Sequence, residues 1–355
     1  MSLADIHSID LTDTPVVTID LDIMERNIRR FQELCDEAEV GLRPHIKTHK
    51  IPALTKAQLD AGAIGIACQK LGEVEVMQAA GAHDIMLTYN IVGAAKLERL
   101  LKLARVCDLK TVCDNLTVAE GLSAAFAGSG VTLGVLVECD TGAGRNGVQS
   151  PAQAAELAER IDQLPGLRFA GLMTYPITES TADYLTEAYK ELDARGLKAE
   201  IVSTGGTPTL SLLRNVPGVT EHRAGTYIFN DRMCVKAGVA TWDDCAMRVK
   251  ATVVSRPTQG RAVIDAGSKT LSSDLLSMEG HGHIVEYPTA KIAKLNEEHG
   301  VVLFEEGAPA PQVGEVVTII PNHTCVVTNL HDQLVGVRGG KVETVWDVAA
   351  RGLVR

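Results

Sequence analysis

From about residue 23 to about residue 230, short β-branched runs alternate with stretches whose apolar residues recur every three to four positions. This alternation constrains the fold more than any other feature. The short runs must be buried on both faces, and each helical pattern must bury one face against them. Eight runs qualify as strands: GLRPHIK, IGIACQ, DIMLTY, DLKTVCD, TLGVLVECD, LRFAGLMTY, EIVSTG and TEHRAGTYIF. Between them lie helical patterns such as NLTVAEGLSAAFAG, SPAQAAELAERIDQL and TPTLSLLRN, several of which stop on glycine. Eight strands with intervening helices over roughly 200 residues match a (β/α)8 barrel. An open doubly wound sheet is the competing arrangement. It is less consistent, because no Gly-rich dinucleotide fingerprint follows the first strand, and TGAGRNG comes only after the fifth.

After about residue 240 the apolar period falls from 3.6 to 2. AMRVKATVVSRP, RAVIDAG, GHGHIVEY, HGVVLFEEG, EVVTIIPNHTCVVTNL and QLVGVRGGKVETVWDV read as strands joined by turns. The expected organisation is therefore α/β. Residues 1–20 hold an N-terminal strand packing with the β domain, residues 21–235 form the barrel, and residues 236–355 form a mostly-β domain. Aromatic residues make up only 4% of the 355, so Val, Ile, Leu and Ala must fill the interior.

The balance of 45 acidic against 34 basic residues disfavours nucleic-acid binding, which needs clustered cations. No apolar run is long enough for a membrane span. The opening MSLADIHSIDLTD lacks the charged segment and apolar core of a secretory leader. Eight scattered cysteines without a CxxC pair read as reduced thiols, so a cytoplasmic setting is expected.

In a barrel the chemistry sits at the C-terminal ends of the strands. There GLRPHIKTHK crowds Arg43, Lys47 and Lys50 with two histidines. A desolvated Lys47 would be a nucleophilic amine able to form a Schiff base; a solvated surface lysine is the alternative. The seventh strand ends in STGGTPT, where Thr204, Gly205, Gly206 and Thr207 precede a helix start. The eighth adds Arg223, Gly225 and Thr226. Together they suit a phosphate cradle, against the simpler reading of two glycine turns. In PNHTC, His323 and Cys325 would share one face of a strand and could bind Zn²⁺ with open coordination positions. A buried thiol beside a satisfied histidine is the alternative.

RPHIKTHK, STGGTPT, HRAGTYIF, VIDAGSK, NEEHGVV and PNHTC…NLHD, in this order, resemble the D-threonine aldolase and D-serine dehydratase family. These are pyridoxal 5′-phosphate (PLP) enzymes of the alanine-racemase fold (fold type III), and the likeness spans nearly the whole chain. The resemblance implies Lys47 as the cofactor-bearing lysine and Gly206, Thr207, Gly225 and Thr226 at the phosphate. It implies Arg145 and Tyr175 as cofactor contacts, Arg223 at the pyridine nitrogen, and His323 and Cys325 as ligands of a divalent metal, Zn or Mn. It also implies a homodimer and a D-amino acid substrate carrying a β-hydroxyl.

Two reactions are then open: retro-aldol cleavage to glycine and an aldehyde, or dehydration to a 2-oxo acid and ammonia. The aldolase is favoured. NLHDQLVGVRGGKVETVWDVAARG is aldolase-like, whereas the His-x-Cys pair resembles the dehydratases. Pro176 follows Tyr175 where some aldolases carry histidine, so His299, His45 or a metal-bound hydroxide would have to serve as base. A PLP racemase is a further possibility, as are a non-catalytic PLP-binding protein and a metal-only hydrolase. The last two fit less well, given the second domain and the lack of a carboxylate–histidine cluster in the barrel strands.

Overall fold

In a computed structural model of the chain, residues 13–305 and 307–355 are described. The opening stretch read as lacking a leader, and most of the expected 1–20 segment, lie outside the described residues. The chain forms two compact units. One comprises the described residues up to Arg30, Thr48–Ile51 and Thr226–Gly352; the other comprises Phe31–Lys47, Pro52–Gly225 and Leu353–Arg355.

β1 (Val16–Asp20) leads directly into α1 (Leu21–Glu37), and the division between units falls within this helix. The unit that follows alternates strands and helices: β2 (Gly41–Leu42), α2 (Pro52–Asp60), β3 (Ile66–Cys68), α3 (Leu71–Ala79), β4 (Asp84–Leu87), α4 (Ala94–Ala104) and β5 (Asp108–Cys113). It continues with α5 (Leu116–Phe126), β6 (Leu133–Cys139), α6 (Pro151–Gln163), β7 (Leu167–Thr174), α7 (Thr181–Asp193), β8 (Ile201–Gly205) and β9 (Glu221–Arg223). Neighbouring strands are parallel, in the order β2-β9-β8-β7-β6-β5-β4-β3. The two ends meet: His45 bridges Ala67, the Ala67 N–H donates to the Pro44 carbonyl (2.8 Å) and the Ile64 N–H to the Leu42 carbonyl (2.9 Å). The sheet therefore closes, and the strands are the eight expected. TPTLSLLRN differs from expectation: Thr207–Asn215 is a 3₁₀ helix. Pro208 removes an amide donor from its first turn, and tight i→i+3 turns suit so short a connector.

Alternation along the strands sorts the barrel's side chains. Ile85, Leu87, Val135 and Val137 pack outward with the helices, whereas Met86, Val112, Leu136, Ala170 and Met173 form a separate small cluster inside. In β9, His222 faces outward and stacks on Phe31 of α1. Glu221 and Arg223 consequently face inward. There Arg43, 2% exposed, donates from Nε to Glu221 (2.8 Å) and from Nη1 to Asp84 (2.8 Å). Ser203 Oγ donates to the other Glu221 oxygen (2.6 Å).

The other unit is built on a mixed sheet. β10 (Met247–Thr258), β11 (Arg261–Ile264), β12 (His283–Ile284), β13 (Lys291–Leu295), β14 (Gly300–Leu303), β15 (Val316–Ile320), β16 (Gln333–Arg338) and β17 (Lys341–Asp347) join β1. β1 lies antiparallel to β10 and parallel to β16. Its short helices are α8 (Arg232–Lys236), α9 (Ser268–Leu271) and α10 (Thr324–Leu330). GHGHIVEY contributes only the two residues of β12, and β13 was not expected.

The larger correction is α10. The β-branched text PNHTCVVTNL suggests a strand with His323 and Cys325 side by side. Instead His323 is the extended N-cap residue and Cys325 lies in the first helical turn. Tertiary capping overrides the local propensity: Asp231 Oδ2 accepts from the Thr324 N–H (3.1 Å) and hydroxyl (3.3 Å). The same carboxylate caps α8 by accepting from the Cys234 N–H (3.0 Å). No helix among the described residues is long and apolar enough to cross a membrane.

Removing Glu221 would leave Arg43 and Ser203 buried with one partner fewer each. Glu221→Ala is expected to lower the unfolding free energy by about 3 kcal/mol. Urea denaturation measures this, and a loss below about 1 kcal/mol would show that the inner ion pair does not stabilise the barrel.

Candidate active site

β2 ends at a bridge residue, His45, and a single 3₁₀ turn, Ile46–Thr48, that carries Lys47. Lys47 lines a cleft of about 640 Å³ together with Gln69, Thr88, Tyr89, Asn90 and Arg145. Its Nζ lies 5.8 Å from the centroid of the Tyr175 ring, and the Arg145 guanidinium lies 5.3 Å from the same ring. Tyr175 follows β7 and precedes a cis proline, Pro176. Both cations lie within cation–π range of the same ring, an electrostatically favourable placement.

His45 Nε2 lies 3.1 Å from the Thr88 hydroxyl, whereas its buried Nδ1 has no hydrogen-bond partner among the described residues. Burial, reinforced by the positive charges of Lys47 and Arg223, drives its pKa well below 6.5, so the ring is neutral. Arg223 points inward from β9. It donates to Ser203 Oγ and to the Thr174 carbonyl (3.0 Å). Burial lowers its pKa to about 10, and Glu221 and Glu138 oppose the shift, so the guanidinium stays protonated at neutral pH. Glu138, at the end of β6, accepts from Asn146 (2.6 Å) and lies 3.6 Å from Arg145. Burial raises its pKa.

At the end of β8, Gly206 has φ +115° and its N–H donates to the Arg223 carbonyl (2.8 Å). A Cβ there would stand 2.6 Å from Thr209 Oγ1, and one on Gly205 would stand 3.1 Å from the Tyr175 ring. Gly206 thus requires glycine for its backbone conformation, and Gly205 leaves little room for a side chain, directly before the 3₁₀ helix that begins at Thr207. The Gly206 amide is therefore engaged within the fold. Thr204 faces outward, its hydroxyl 3.0 Å from His222 Nδ1, while His222 Nε2 lies 3.2 Å from the Gly206 carbonyl. Lys47, Arg145, Tyr175, Arg223 and Gly205 are thus brought together, with Gly206 and Thr207 next in the chain. Gly225 follows Arg223 by two residues, and Thr226 opens a 3₁₀ turn, Thr226–Ile228.

In the other unit, Asp274 Oδ2 lies 2.8 Å from His323 Nδ1. Cys325 Sγ lies 3.2 Å from Thr48 Oγ1 and 3.9 Å from Thr226 Oγ1. Burial alone would lower the His323 pKa, but the hydrogen bond to Cys325 and its charge, the hydrogen bond to Asp274 and the charge of Asp231 outweigh it and raise it to about 9. A carboxylate on Nδ1 orients an imidazole so that Nε2 is presented as a ligand. An imidazole nitrogen beside a thiol sulfur is the donor chemistry of zinc and its neighbours. Among the described residues no group of three or more His, Cys, Asp or Glu is arranged to hold a metal. The pair would therefore supply two ligands and leave the rest to water or substrate. His299 lies on the exposed turn between β13 and β14, where its carbonyl accepts from the Asn296 N–H (2.8 Å); it is not grouped with His323 and Cys325.

The residues not anticipated are Ser203, Glu221, Glu138, Thr48 and Asp274. The glutamates had a signal, an ionisable residue at an inward position of an otherwise apolar strand. Asp274 had none, because it comes from an irregular stretch nearly fifty residues before its partner.

The pocket residues fit PLP: an amine in a cleft, a permanent guanidinium donor, an unpartnered buried imidazole nitrogen and a glycine turn before a helix start. Residues 19–233 match the family model for the N-terminal domain of alanine racemase, and residues 246–337 match a putative serine dehydratase domain. The chain is 37% identical to a D-threonine aldolase from Arthrobacter sp. over 97% of its own length and 94% of the relative's. It is 33% identical to a D-threo-3-hydroxyaspartate dehydratase from Delftia sp., over 88% and 91% of the two chains. The crystal structure of a D-threonine aldolase from Filomicrobium marinum superposes with a TM-score of 0.88 at 34% identity, over 97% of each chain.

His222 sets a pH limit. Its pKa, near 6.5 when unfolded, falls to about 4 in the fold through burial and the nearby Arg223 charge. A depressed histidine contributes stability that is present above pH 6.5 and is lost as pH falls toward 4. The contribution is on the order of 3 kcal/mol. Urea unfolding as a function of pH should show a shallower decline over that range in His222→Asn than in the parent; parallel curves would contradict the assignment.

The barrel with its cofactor-type pocket, the serine-dehydratase-type second domain and full-length similarity to two kinds of lyase together place this chain in the D-threonine aldolase and D-3-hydroxyaspartate lyase family, PLP-dependent enzymes of the alanine-racemase fold that act on D-β-hydroxy amino acids.

Proposed function

We propose that the chain is a PLP- and divalent-metal-dependent lyase that cleaves D-threonine-like substrates to glycine and an aldehyde. The observation that carries the reading is the placement of Lys47 in a cleft beside Tyr175 and Arg145. When bound there, PLP supplies an electron sink for charge at the substrate Cα, and the metal supplies a Lewis acid for the β-oxygen.

The chain's own residues have distinct tasks. Lys47 provides the amine that holds the cofactor covalently. Arg223, held by Ser203 and the Thr174 carbonyl, donates a hydrogen bond to a ring nitrogen without surrendering its proton. Arg145 and the Tyr175 ring bound one side of the pocket and orient what lies between them. Gly205, Gly206, Thr207 and Gly225 provide backbone and hydroxyl groups for a phosphate, with Thr204 supporting the turn through His222. Thr226 supplies a further hydroxyl in the same role. His45 stays neutral and can accept a hydrogen bond through its unpartnered nitrogen. His323 and Cys325 hold the metal, with Asp274 fixing the imidazole. No proton transfer is assigned to His299.

The aldolase reading rests on the 37% identity over nearly the full length of a D-threonine aldolase. One observation favours the alternative, a D-serine- or 3-hydroxyaspartate-type dehydratase: the histidine–thiol pair, together with Pro176 after Tyr175. A racemase is less consistent with any metal requirement.

With D-threonine, PLP and Mn²⁺ or Zn²⁺, equal amounts of glycine and acetaldehyde are expected. Formation of 2-oxobutanoate and ammonia would assign the dehydratase instead, and isomerised threonine the racemase. Chelation should reduce the rate at least about tenfold, and added Mn²⁺ or Zn²⁺ should restore it in the parent but not in His323→Ala. An unchanged rate after chelation would remove the metal from the proposal.

A further inference from the structure

Lys50 stands beside Lys47 in the sequence, and no step of the pocket chemistry uses it. It is 6% exposed, and its Nζ donates to Asn329 Oδ1 (2.8 Å) on α10. Its φ is +56°, in the left-handed region that a lysine seldom adopts, and its carbonyl accepts from the Ala350 N–H (3.2 Å). Two residues earlier, the buried Thr48 places its hydroxyl 3.2 Å from Cys325 Sγ. Cys325 and Asn329 are four residues apart in α10, so they lie one turn apart on the same face. Thr48, Lys50, α10 and Ala350 all belong to one unit. Lys47 is bonded directly to Thr48.

A single contact would let a short segment pivot about it. A second contact, one helical turn away, fixes its direction as well, and a buried lysine keeps one rotamer only where its ammonium is bonded. Thr48 touches a sulfur that is itself a candidate metal ligand. A change in the position or stiffness of α10 on metal binding therefore reaches the residue next to Lys47, and the Lys50–Asn329 bond keeps the segment from swinging free of the helix. We propose that Lys50, paired with Asn329, is a positioning residue that links metal binding at His323 and Cys325 to the seating of the cofactor on Lys47. Such a link rests on the lyase reading above and adds a mutual dependence between its two sites. By thermodynamic linkage, each ligand must then favour the other by the same factor.

Two binding measurements on the full chain, neither needing turnover, test the link. Imine absorbance during titration with PLP gives the cofactor's Kd after removal of metal by chelation, and again with saturating Mn²⁺. Mn²⁺ binding is measured calorimetrically on the apoprotein and on borohydride-reduced holoenzyme. In the parent, Mn²⁺ should tighten PLP binding about tenfold, and the covalently held cofactor should tighten Mn²⁺ binding by a similar factor. Lys50→Met and Asn329→Leu should each bring both factors below about twofold, and the double variant should lose no more than either alone. Lys50→Arg should recover much of the coupling.

A purely structural loss would weaken PLP binding equally with and without Mn²⁺ and leave the factor unchanged, and that result overturns the proposal. So does a parent protein whose PLP affinity is the same in both conditions. Asn329→Leu alters a half-buried helix residue and decides the matter if Lys50→Met does not fold. If the parent forms no imine at all, the lyase reading fails and the link with it; a normal imine band that ignores Mn²⁺ removes the link alone.

Discussion

Arg43 is almost completely buried inside a closed barrel, and a guanidinium in that position must be surrounded by counter-charge. Glu221 and Asp84 provide it. Glu221 then accepts from Ser203, and Ser203 accepts from Arg223. One obligatory ion pair thus fixes the rotamers of a chain of inward side chains that ends at the pocket. A small apolar cluster of five buried residues from β4, β5, β6 and β7 fills one part of the interior. The polar chain occupies the side formed by β2, β8 and β9. That is why the strand ends bearing Lys47, the Gly205–Gly206 turn and Arg223 are held in a common frame.

The other unit uses a similar device at smaller scale. Asp231 is buried and caps two short helices at once, α8 and α10. Capping α10 there fixes the backbone of His323 as its N-cap residue and brings Cys325 into the first turn. Asp274 then fixes the imidazole, and Thr48 meets the thiol. Thr48 is joined to Lys47 by one peptide bond. In both units a buried carboxylate orients the chemistry without belonging to it.

Much of this was legible in the sequence. The eight barrel strands were readable because parallel strands buried on both faces are short apolar runs, and the change of period near residue 240 marked the mixed sheet. Lys47, the glycine turn, Arg223 and the His323–Cys325 pair stood out as residue types that local packing does not need. What was not legible depended on partners distant in sequence. The α10 segment is rich in β-branched residues and reads as a strand until Asp231, over ninety residues earlier, is known to cap it. Thr204 looked like a phosphate ligand, yet strand alternation turns it toward His222. His299 was a candidate base, but it occupies an exposed hairpin turn and is not grouped with His323 and Cys325 among the described residues.

The proposed chemistry depends on the amine of Lys47 holding the cofactor. The direct measurement is reduction of the PLP-loaded protein with borohydride, followed by proteolysis and mass spectrometry of the lysine-containing peptides. Loss of the imine absorbance and a pyridoxyl group on Lys47 alone are expected. A cofactor that washes out after reduction, or a modification on Lys50 or another lysine with Lys47 untouched, would contradict it.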